Sequence, residues 1–222
     1  MGPGSLGASP DAFGGYRVRL VEQLRAQGIR DLAVLRAFAE TPRHLFVPNA
    51  MRQRAYENVA LPIGAGQTIS QPFTQARTLE ALQLTGREVV LEVGTGSGYQ
   101  TALLARLVAQ VFTVERVPEL AARAQQALRD AGARNVSVLV GDGTLGWSAF
   151  APYDAILVAA GGPEVPEPLI KQLRPHGRLL IPIGERGAQT LTLVEHTGDG
   201  VRQRALGSAL FVPLVGEHGF DG

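Results

Sequence analysis

Three glycines at alternate positions, Gly94, Gly96 and Gly98, separate an apolar run that ends at Val93 from an amphipathic segment that begins at Tyr99. A strand, a glycine turn and a helix in this order let the backbone approach a ligand closely, and the start of the helix offers unpaired N–H groups. The spacing G-x-G-x-G differs from the G-x-G-x-x-G of dinucleotide-binding enzymes. The segment therefore predicts a site for a nucleotide-like cofactor.

Three acidic residues stand where such a cofactor needs them. Glu115 ends the second predicted strand, about twenty residues after the first glycine, where a carboxylate accepts hydrogen bonds from a ribose diol. Glu92 precedes the glycine turn by two residues and suits the cationic end of S-adenosylmethionine, which carries an ammonium and a sulfonium. Asp142 follows the third predicted strand, between Gly141 and Gly143. Acids at strand ends are often only solvated loop residues, but these three keep a consistent order and spacing.

The pattern E-x-G-x-G-x-G resembles the first motif of the class I methyltransferases, and the resemblance implies S-adenosylmethionine as the cofactor. In that family the acid after the third strand faces the adenine amino group, a role that the resemblance gives to Asp142. We expect the cofactor to contact the following residues: Gln71, Glu92, Gly94, Thr95, Gly96, Ser97, Gly98, Glu115, Gly141, Asp142 and Gly143.

The segment GAGQTISQP, residues 64–72, is followed by LEVGTGSGYQTA, VERV, GDG and the terminal FVPLV. Together they resemble the protein-L-isoaspartate O-methyltransferase family from about Tyr16 to Val215. The resemblance implies methylation of the α-carboxylate of L-isoaspartyl residues, a repair of damaged proteins and peptides. One departure is Gly161-Gly162, which stands where many relatives have Ala-Pro or Pro-Pro.

By the same resemblance, Ser70 is the active-site serine, and Thr68 and Ile69 bind the acceptor. A carboxylate with a pKa near 4 is already ionised at neutral pH, so its methylation needs alignment and no general base. A serine hydroxyl would orient that carboxylate by donating a hydrogen bond. The alternative is that Ser70 caps the helix predicted to begin near Pro72.

The surrounding pattern is typical of an α/β fold with a doubly wound, mostly parallel, Rossmann-like sheet, because short β-branched runs alternate with amphipathic helices after Gly86. The predicted strands are Glu88–Val93, Val111–Glu115, Val136–Val140, Ala155–Ala159 and Arg178–Ile183. The predicted helices are Tyr99–Val108, Pro118–Ala131 and Pro166–Leu173. Beyond Gly187 we expect three consecutive antiparallel strands, TLTLVEH, VRQRAL and SALFVPLV, joined by turns such as Asp199-Gly200.

Three regions are expected along the chain. Residues 1–15 are predicted to be a disordered leader that is rich in glycine and proline. Residues 16–84 are predicted to form an N-terminal helical subdomain, with helices from Tyr16 to about Gln27, after a cap at Asp31, and from Pro72 to about Leu84. Within it, residues 61–72 are predicted to be a substrate loop without regular structure. Residues 85–222 are predicted to form the S-adenosylmethionine-binding α/β domain.

The composition narrows the possible partners. A net charge of +1, spread without a basic run, argues against nucleic acid, and no apolar stretch approaches the roughly 20 residues that span a bilayer. The chain has no cysteine, which excludes disulfides and zinc–thiolate sites and favours a cytoplasmic location. Its four histidines lack the spacing of metal ligands, so no metal is expected. We expect a monomer.

Three rival functions remain open on the residues alone. The same fold serves methyltransferases that act on small molecules or RNA, because a fold does not determine the acceptor. A non-catalytic module could retain the pocket to bind a partner or sense a metabolite. A nicotinamide oxidoreductase is disfavoured by the glycine spacing.

Overall fold

The chain begins with two helices in the computed structural model, which describes residues 12–197 and 200–221. They are α1 (Gly14–Ala26) and α2 (Leu32–Glu40). The Asp31 side chain caps α2, as predicted, since it accepts hydrogen bonds from the N–H groups of Ala33 and Val34 at 2.8 and 3.2 Å. Helix α1 starts inside the predicted leader, and the rest of that leader, residues 1–11, lies outside the described residues.

The segment 61–72 contains a β-hairpin, so the expectation of a loop without regular structure was wrong. Strand β1 (Leu61–Gly64) pairs antiparallel with β2 (Gln67–Ile69). Ala65 and Gly66 connect the strands with φ angles of 51° and 68°, the conformation of a type I′ turn. Strands of four and three residues are too short to produce a readable alternation. Helix α3 (Pro72–Leu82) follows directly.

The rest of the chain alternates strands and helices, close to the prediction. The strands are β3 (Val89–Val93), β4 (Gln110–Glu115), β5 (Val136–Val140), β6 (Tyr153–Val158), β7 (Leu173–Glu185), β8 (Ala188–Thr197) and β9 (Gly200–Ala209). The helices are α4 (Tyr99–Ala105), α5 (Pro118–Asp130) and α6 (Glu167–Lys171). Short 3₁₀ helices occur at Arg43–Phe46, Asn49–Arg54, Gly143–Leu145 and Ser148–Phe150.

These seven strands form one sheet in the order β5-β4-β3-β6-β7-β8-β9. The pairs from β5 to β7 are parallel, and β7, β8 and β9 are antiparallel to one another. The chain runs from β3 outward to β5 and then returns to β6 on the other side of β3. This reversal opens a crevice beyond the carboxyl ends of β3 and β6, where doubly wound folds bind ligands.

The C-terminal part has one strand fewer than predicted. Strand β9 includes both VRQRAL and the start of SALFVPLV, since the chain passes through a bulge at Gly207, whose φ is 113°. The register shifts there, with Leu191 opposite Gly207 but Thr192 opposite Ala205. Residues 210–215 leave the sheet, and Pro213 forms an isolated bridge with Gly161, which follows the end of β6. Residues 198–199, part of the predicted turn, lie outside the described residues.

Apolar side chains cover both faces of the sheet. One cluster joins the N-terminal helices to the sheet and includes Leu20, Leu35, Leu79 and Leu193. The other lies on the opposite face and includes Leu214. The helices of residues 14–82 therefore share a hydrophobic core with the sheet. In the described part of the chain, no helix is long and apolar enough to cross a membrane.

Candidate active site

A cleft lies at the carboxyl ends of β3, β4 and β6, and its empty space, counted together with the part open to solvent, is about 800 Å³. Of the predicted site residues, those lining it are Thr68, Ile69, Ser70, Gly94, Thr95, Gly96, Ser97, Glu115 and Gly143. The β1–β2 hairpin and the glycine turn thus face the same space. The predicted residues that do not line it are Gln71, Glu92, Gly98, Gly141 and Asp142.

The glycine turn presents bare backbone to the cleft. Gly94 has a φ of 92°, which residues with a Cβ rarely adopt, and it lies next to Ala159 at the end of β6. The Gly96 N–H donates to Glu115 Oε2 at 2.8 Å. Gly98 begins α4 with a φ of 85° and packs against Ala124 of α5, so its role is in helix packing.

Glu115 ends β4 on the wall of the cleft and is almost fully buried. Its two carboxylate oxygens accept hydrogen bonds from the N–H groups of Gly96 and Val117, at 2.8 and 2.9 Å. These bonds orient the carboxylate. Each oxygen has a second lone pair, which leaves room for the two hydroxyls of a ribose.

Glu92 lies behind the glycine turn, so its position does not support the predicted contact with the cofactor. Side chains alternate along β3, and Val93 is the one that faces the cleft. Glu92 Oε2 accepts hydrogen bonds from the hydroxyls of Thr101 and Thr113, at 2.5 and 2.7 Å, while Oε1 has no partner among the described residues. Burial raises the pKa of Glu92 to about 7, although both hydroxyls favour the ionised form.

Asp142 also lies outside the cleft, although the adjacent Gly143 lines it. Its Oδ1 accepts from the backbone and hydroxyl of Thr144, and its Oδ2 accepts from the Glu217 N–H at 2.7 Å. Partial burial alone would raise the pKa of Asp142, but these hydrogen bonds outweigh burial and lower it. Asp142 therefore ties the C-terminal segment to the loop after β5. One lone-pair site remains for a ligand.

Gln71 faces away from the cleft. It is the N-cap residue of α3, and its Nε2 donates to the Asn58 carbonyl at 2.9 Å while its Oε1 accepts from the Thr74 hydroxyl at 3.2 Å. The preceding residue, Ser70, lines the cleft, whereas these two hydrogen bonds hold the Gln71 side chain toward Asn58 and Thr74. The expectation that Gln71 contacts the cofactor therefore finds no support in its position.

Ser70 lines the cleft with an unpaired hydroxyl. Among the described residues its side chain makes no hydrogen bond, and α3 has no side-chain cap. The capping alternative for Ser70 was therefore wrong. Its carbonyl accepts a hydrogen bond from Arg43 Nη2 at 3.0 Å, which holds the end of the hairpin in place.

Residues 16–219 match the family model described as Protein-L-isoaspartate(D-aspartate) O-methyltransferase (PCMT). The chain belongs to this family. A protein-L-isoaspartate O-methyltransferase 1 of Syntrophobacter fumaroxidans is 51% identical over 207 residues, 93% of this chain and 97% of that protein. A protein-L-isoaspartate O-methyltransferase of Dictyoglomus thermophilum is 52% identical over 204 residues, 92% and 93% of the two chains.

Solved PCMT structures share the fold. A protein-L-isoaspartate O-methyltransferase superposes with a TM-score of 0.84 at 30% identity, over 91% of this chain and 67% of that one. A beta-aspartate methyltransferase (PCMT) from Plasmodium falciparum, solved in complex with S-adenosyl-L-homocysteine, superposes with a TM-score of 0.79 at 26% identity, over 89% and 97%. The PCMT resemblance inferred from the motifs, and the doubly wound fold, are confirmed.

Three polar residues of this PCMT site were missed by the sequence interpretation. Gln75 on α3 and Gln100 on α4 line the cleft, and Arg43 is fully buried behind Gln75. A signal was available for Gln75, since it lies on the face of α3 that buries Ala76 and Leu79. Val212 to Val215 also line the cleft, and their apolar pattern was interpreted as a strand.

Other residues considered for chemistry do not reach the cleft. Trp147 and Tyr153 pack with Phe112 on the second face of the sheet, so these aromatic residues belong to the core. The described residues contain no group of three or more histidines or acids that could hold a metal ion.

Proposed function

We propose that this chain transfers a methyl group from S-adenosylmethionine to the α-carboxylate of L-isoaspartyl residues in damaged proteins and peptides. The observation that carries the proposal is the cleft shared by Ser70 on the hairpin and the glycine turn with Glu115. An acceptor held by Ser70 and a cofactor held by the glycine turn and Glu115 would meet in this cleft. Membership in the PCMT family supports the same reaction.

The cofactor side of the cleft fits S-adenosylmethionine, which supplies an electrophilic methyl group on a sulfonium. Glu115 binds the ribose hydroxyls through the lone pairs that Gly96 and Val117 leave unused. Gly94 and Gly96 leave space for the ligand against the backbone. Glu92 lies behind the glycine turn, and a cationic group bound in the cleft would favour its ionised form over the protonated form that burial favours.

The acceptor side of the cleft needs only to align an anionic carboxylate with the methyl group of the cofactor. Ser70 donates a hydrogen bond from its free hydroxyl to the acceptor carboxylate, which is ionised at neutral pH. With S-adenosylmethionine bound, the acceptor oxygen would form a C–O bond to the methyl carbon while the C–S bond breaks and S-adenosylhomocysteine leaves with the electron pair on sulfur. The carboxylate is already ionised, so no proton has to be removed. Holding the two reactants in line supplies much of the acceleration.

A second groove adjoins the cleft and suits the rest of the acceptor chain. Thr68, Ser70, Ala159 and Val212 line both spaces. The groove continues past Phe73 and Leu210, whose side chain is 74% exposed. A peptide with isoaspartate at Ser70 could extend its neighbouring residues along this groove.

The proposal is tested by following a labelled methyl group from S-adenosylmethionine to an isoaspartyl peptide. A methyl ester releases its label as methanol in mild base, whereas methyl groups on nitrogen, as in many RNA products, are retained. We expect base-labile label on the peptide. Retained label, or label only on RNA or a small molecule, would contradict the proposal.

The Ser70→Ala variant tests the role of the hydroxyl. Because Ser70 makes no cap, we expect an unchanged melting temperature and cofactor affinity, with turnover reduced at least tenfold, about 1.4 kcal/mol. Ser148→Ala, an exposed serine that lines neither the cleft nor the groove, serves as a control. Turnover close to that of the unmodified enzyme would remove Ser70 from the mechanism.

We further propose that the enzyme acts as a monomer in the cytoplasm and does not bind nucleic acid. The net charge of +1 supports the statement on nucleic acid, and the lack of cysteine supports the statement on location. Light scattering, cell fractionation and an electrophoretic shift assay with RNA test these three points separately.

A further inference from the structure

The groove that adjoins the cleft has a single charged residue, Arg77, among the described residues that line it. Arg77 belongs to α3, on which Phe73, Thr74 and Arg77 are three and four residues apart and therefore lie on one face of the helix. All three line the groove, and no carboxylate of the described residues does. One cation in an otherwise uncharged groove gives that groove a positive potential.

One hydrogen bond and one bulge hold the Arg77 side chain in place. Its Nη2 donates to the Leu206 carbonyl, in the part of β9 where the register shifts. A Cβ at Gly207 would lie 2.9 Å from the same nitrogen, too close for the two atoms to remain where they are. The bulge therefore leaves room for the guanidinium because residue 207 has no side chain. A cation held in this way loses little conformational freedom when it binds an anion.

The other nitrogens of Arg77 have no partner in the described part of the chain. None of the salt bridges between described residues includes Arg77, and no hydrogen bond between them uses its Nε or Nη1. Neither atom is sealed from solvent, although the residue is half-buried. A half-buried guanidinium interacts with a carboxylate more strongly than a fully exposed one does, because less water screens the two charges. Arg77 can therefore bind an anionic group in the groove.

The spacing along α3 indicates which part of an acceptor chain Arg77 meets. The helix rises about 7.5 Å between Pro72 and Arg77, at about 1.5 Å per residue. An extended chain advances about 3.3 Å per residue, so it covers this distance in about two residues, or about three with the step from Ser70 to the helix. A side chain two or three residues from an isoaspartate at Ser70 therefore comes beside Arg77, and only on the side of the chain that runs along α3.

We propose that Arg77 is a specificity-determining residue, which selects acceptor chains that carry an aspartate or glutamate two or three residues from the isoaspartate, on one side of it. The Arg77 N–H groups donate to that carboxylate while Ser70 contacts the isoaspartate. The inference rests on the proposed function, which places the acceptor chain in the groove. A chain with lysine at the same position binds less tightly, because like charges repel.

A panel of isoaspartyl peptides tests this preference in the unmodified enzyme. Each peptide carries glutamate, glutamine or lysine at one position, from three residues before the isoaspartate to three residues after it, in an otherwise constant sequence. At two or three residues on one side, we expect the KM of the glutamate peptide to be at least threefold below that of the glutamine peptide, a size typical of partly exposed ion pairs. The lysine peptide should have the highest KM. No preference, or the same preference at all positions, would overturn the proposal.

Variants of Arg77 assign the preference to this side chain. Arg77→Gln removes the charge but retains an N–H donor for the Leu206 carbonyl, and the ratio of the KM values of the glutamine and glutamate peptides should fall to about one. Arg77→Glu should reverse the preference in favour of lysine, and Arg77→Lys should retain part of it. Arg87→Glu, at an exposed arginine that lines neither the cleft nor the groove, should leave the ratio unchanged. An unchanged ratio in Arg77→Gln would contradict the assignment.

Each ratio compares two peptides on one protein, so a partial loss of activity in a variant does not affect it. If the Arg77 variants do not fold, the unmodified enzyme still tests the ion pair, because added salt should lower the ratio. A ratio that does not respond to salt would overturn the proposal.

Peptide binding separates this inference from the proposed reaction. Fluorescence anisotropy of labelled peptides, with S-adenosylhomocysteine present, gives a Kd without turnover. Kd values that follow the positional preference, without base-labile methyl label on any peptide, would support the role of Arg77 and contradict the proposed function. Methyl transfer with equal KM values for glutamate, glutamine and lysine peptides would support the function and overturn the role of Arg77. Neither methyl transfer nor a charge-dependent Kd would overturn both.

Discussion

Individual residues in this PCMT site differ in how directly they face a ligand. Glu115 and Ser70 line the cleft, whereas Glu92 and Asp142 support the loops around it. Motif spacing located all four residues but could not separate these roles. The orientation of a side chain depends on the face of the strand from which it projects. Its hydrogen-bond partners depend on residues distant in sequence, such as Glu217 beside Asp142.

The pH dependence of stability tests the buried state of Glu92. Its folded pKa of about 7 exceeds the ordinary value of 4.5, so the folded protein binds this proton more tightly than the unfolded chain does. Stability from this group is fully present below pH 4.5 and is lost as the pH rises to about 7. The loss is about 3 kcal/mol, at about 1.4 kcal/mol per pKa unit.

We therefore expect Glu92→Gln, which cannot ionise, to gain stability relative to the unmodified protein between pH 5 and pH 8.5. Urea unfolding at both pH values measures the difference. The exposed Glu119→Gln should show no such trend. A Glu92→Gln variant whose relative stability is the same at both pH values would show that Glu92 is not a buried acid with a raised pKa.

Glu115 should carry a large share of cofactor affinity. Removing its carboxylate in Glu115→Ala eliminates charge-assisted hydrogen bonds to the ribose, worth roughly 1.5–3 kcal/mol. Calorimetry with S-adenosylhomocysteine measures the change, and Glu119→Ala, at an exposed acid in the first turn of α5, is the control. An unchanged Kd in a folded Glu115→Ala protein would rule out the ribose assignment.

At the scale of elements, long periodic segments were predictable and short paired ones were not. Helices α4 and α5 and the strands β3 to β6 lie within a few residues of their predictions, because each carries its own apolar pattern. The β1–β2 hairpin and the continuous β9 depend on pairing between strands and on a bulge at Gly207. Such pairing leaves little trace in a short segment.

The cap of α2 gives a prediction for one element. Replacing Asp31 with Ala removes the acceptor for two N–H groups at the helix start, which costs about 1 kcal/mol of unfolding free energy. Asp31→Asn retains an acceptor oxygen and should lose less than half of that. Chemical denaturation compares the three proteins. Equal stability of Asp31→Ala and the unmodified protein would show that the cap contributes nothing.

At the scale of the whole molecule, one hydrophobic core connects the acceptor side of the cleft with the cofactor side. The N-terminal helices and the sheet share a hydrophobic cluster, so the hairpin with Ser70 is held against the glycine turn by packing as well as by Arg43. The sequence predicted both halves of the site from their motifs. It could not show the contact between them, because Arg43, Ser70 and Gln75 are brought together only by the fold.

The most direct test of the account compares two peptides of identical sequence, one with L-isoaspartate and one with L-aspartate at the same position. Isoaspartate places an extra methylene in the backbone and moves the free carboxylate, so a cleft that aligns one carboxylate misaligns the other. We expect kcat/KM to be at least a hundredfold higher for the isoaspartyl peptide, about 2.7 kcal/mol in transition-state stabilisation. Comparable values for the two peptides would contradict the account.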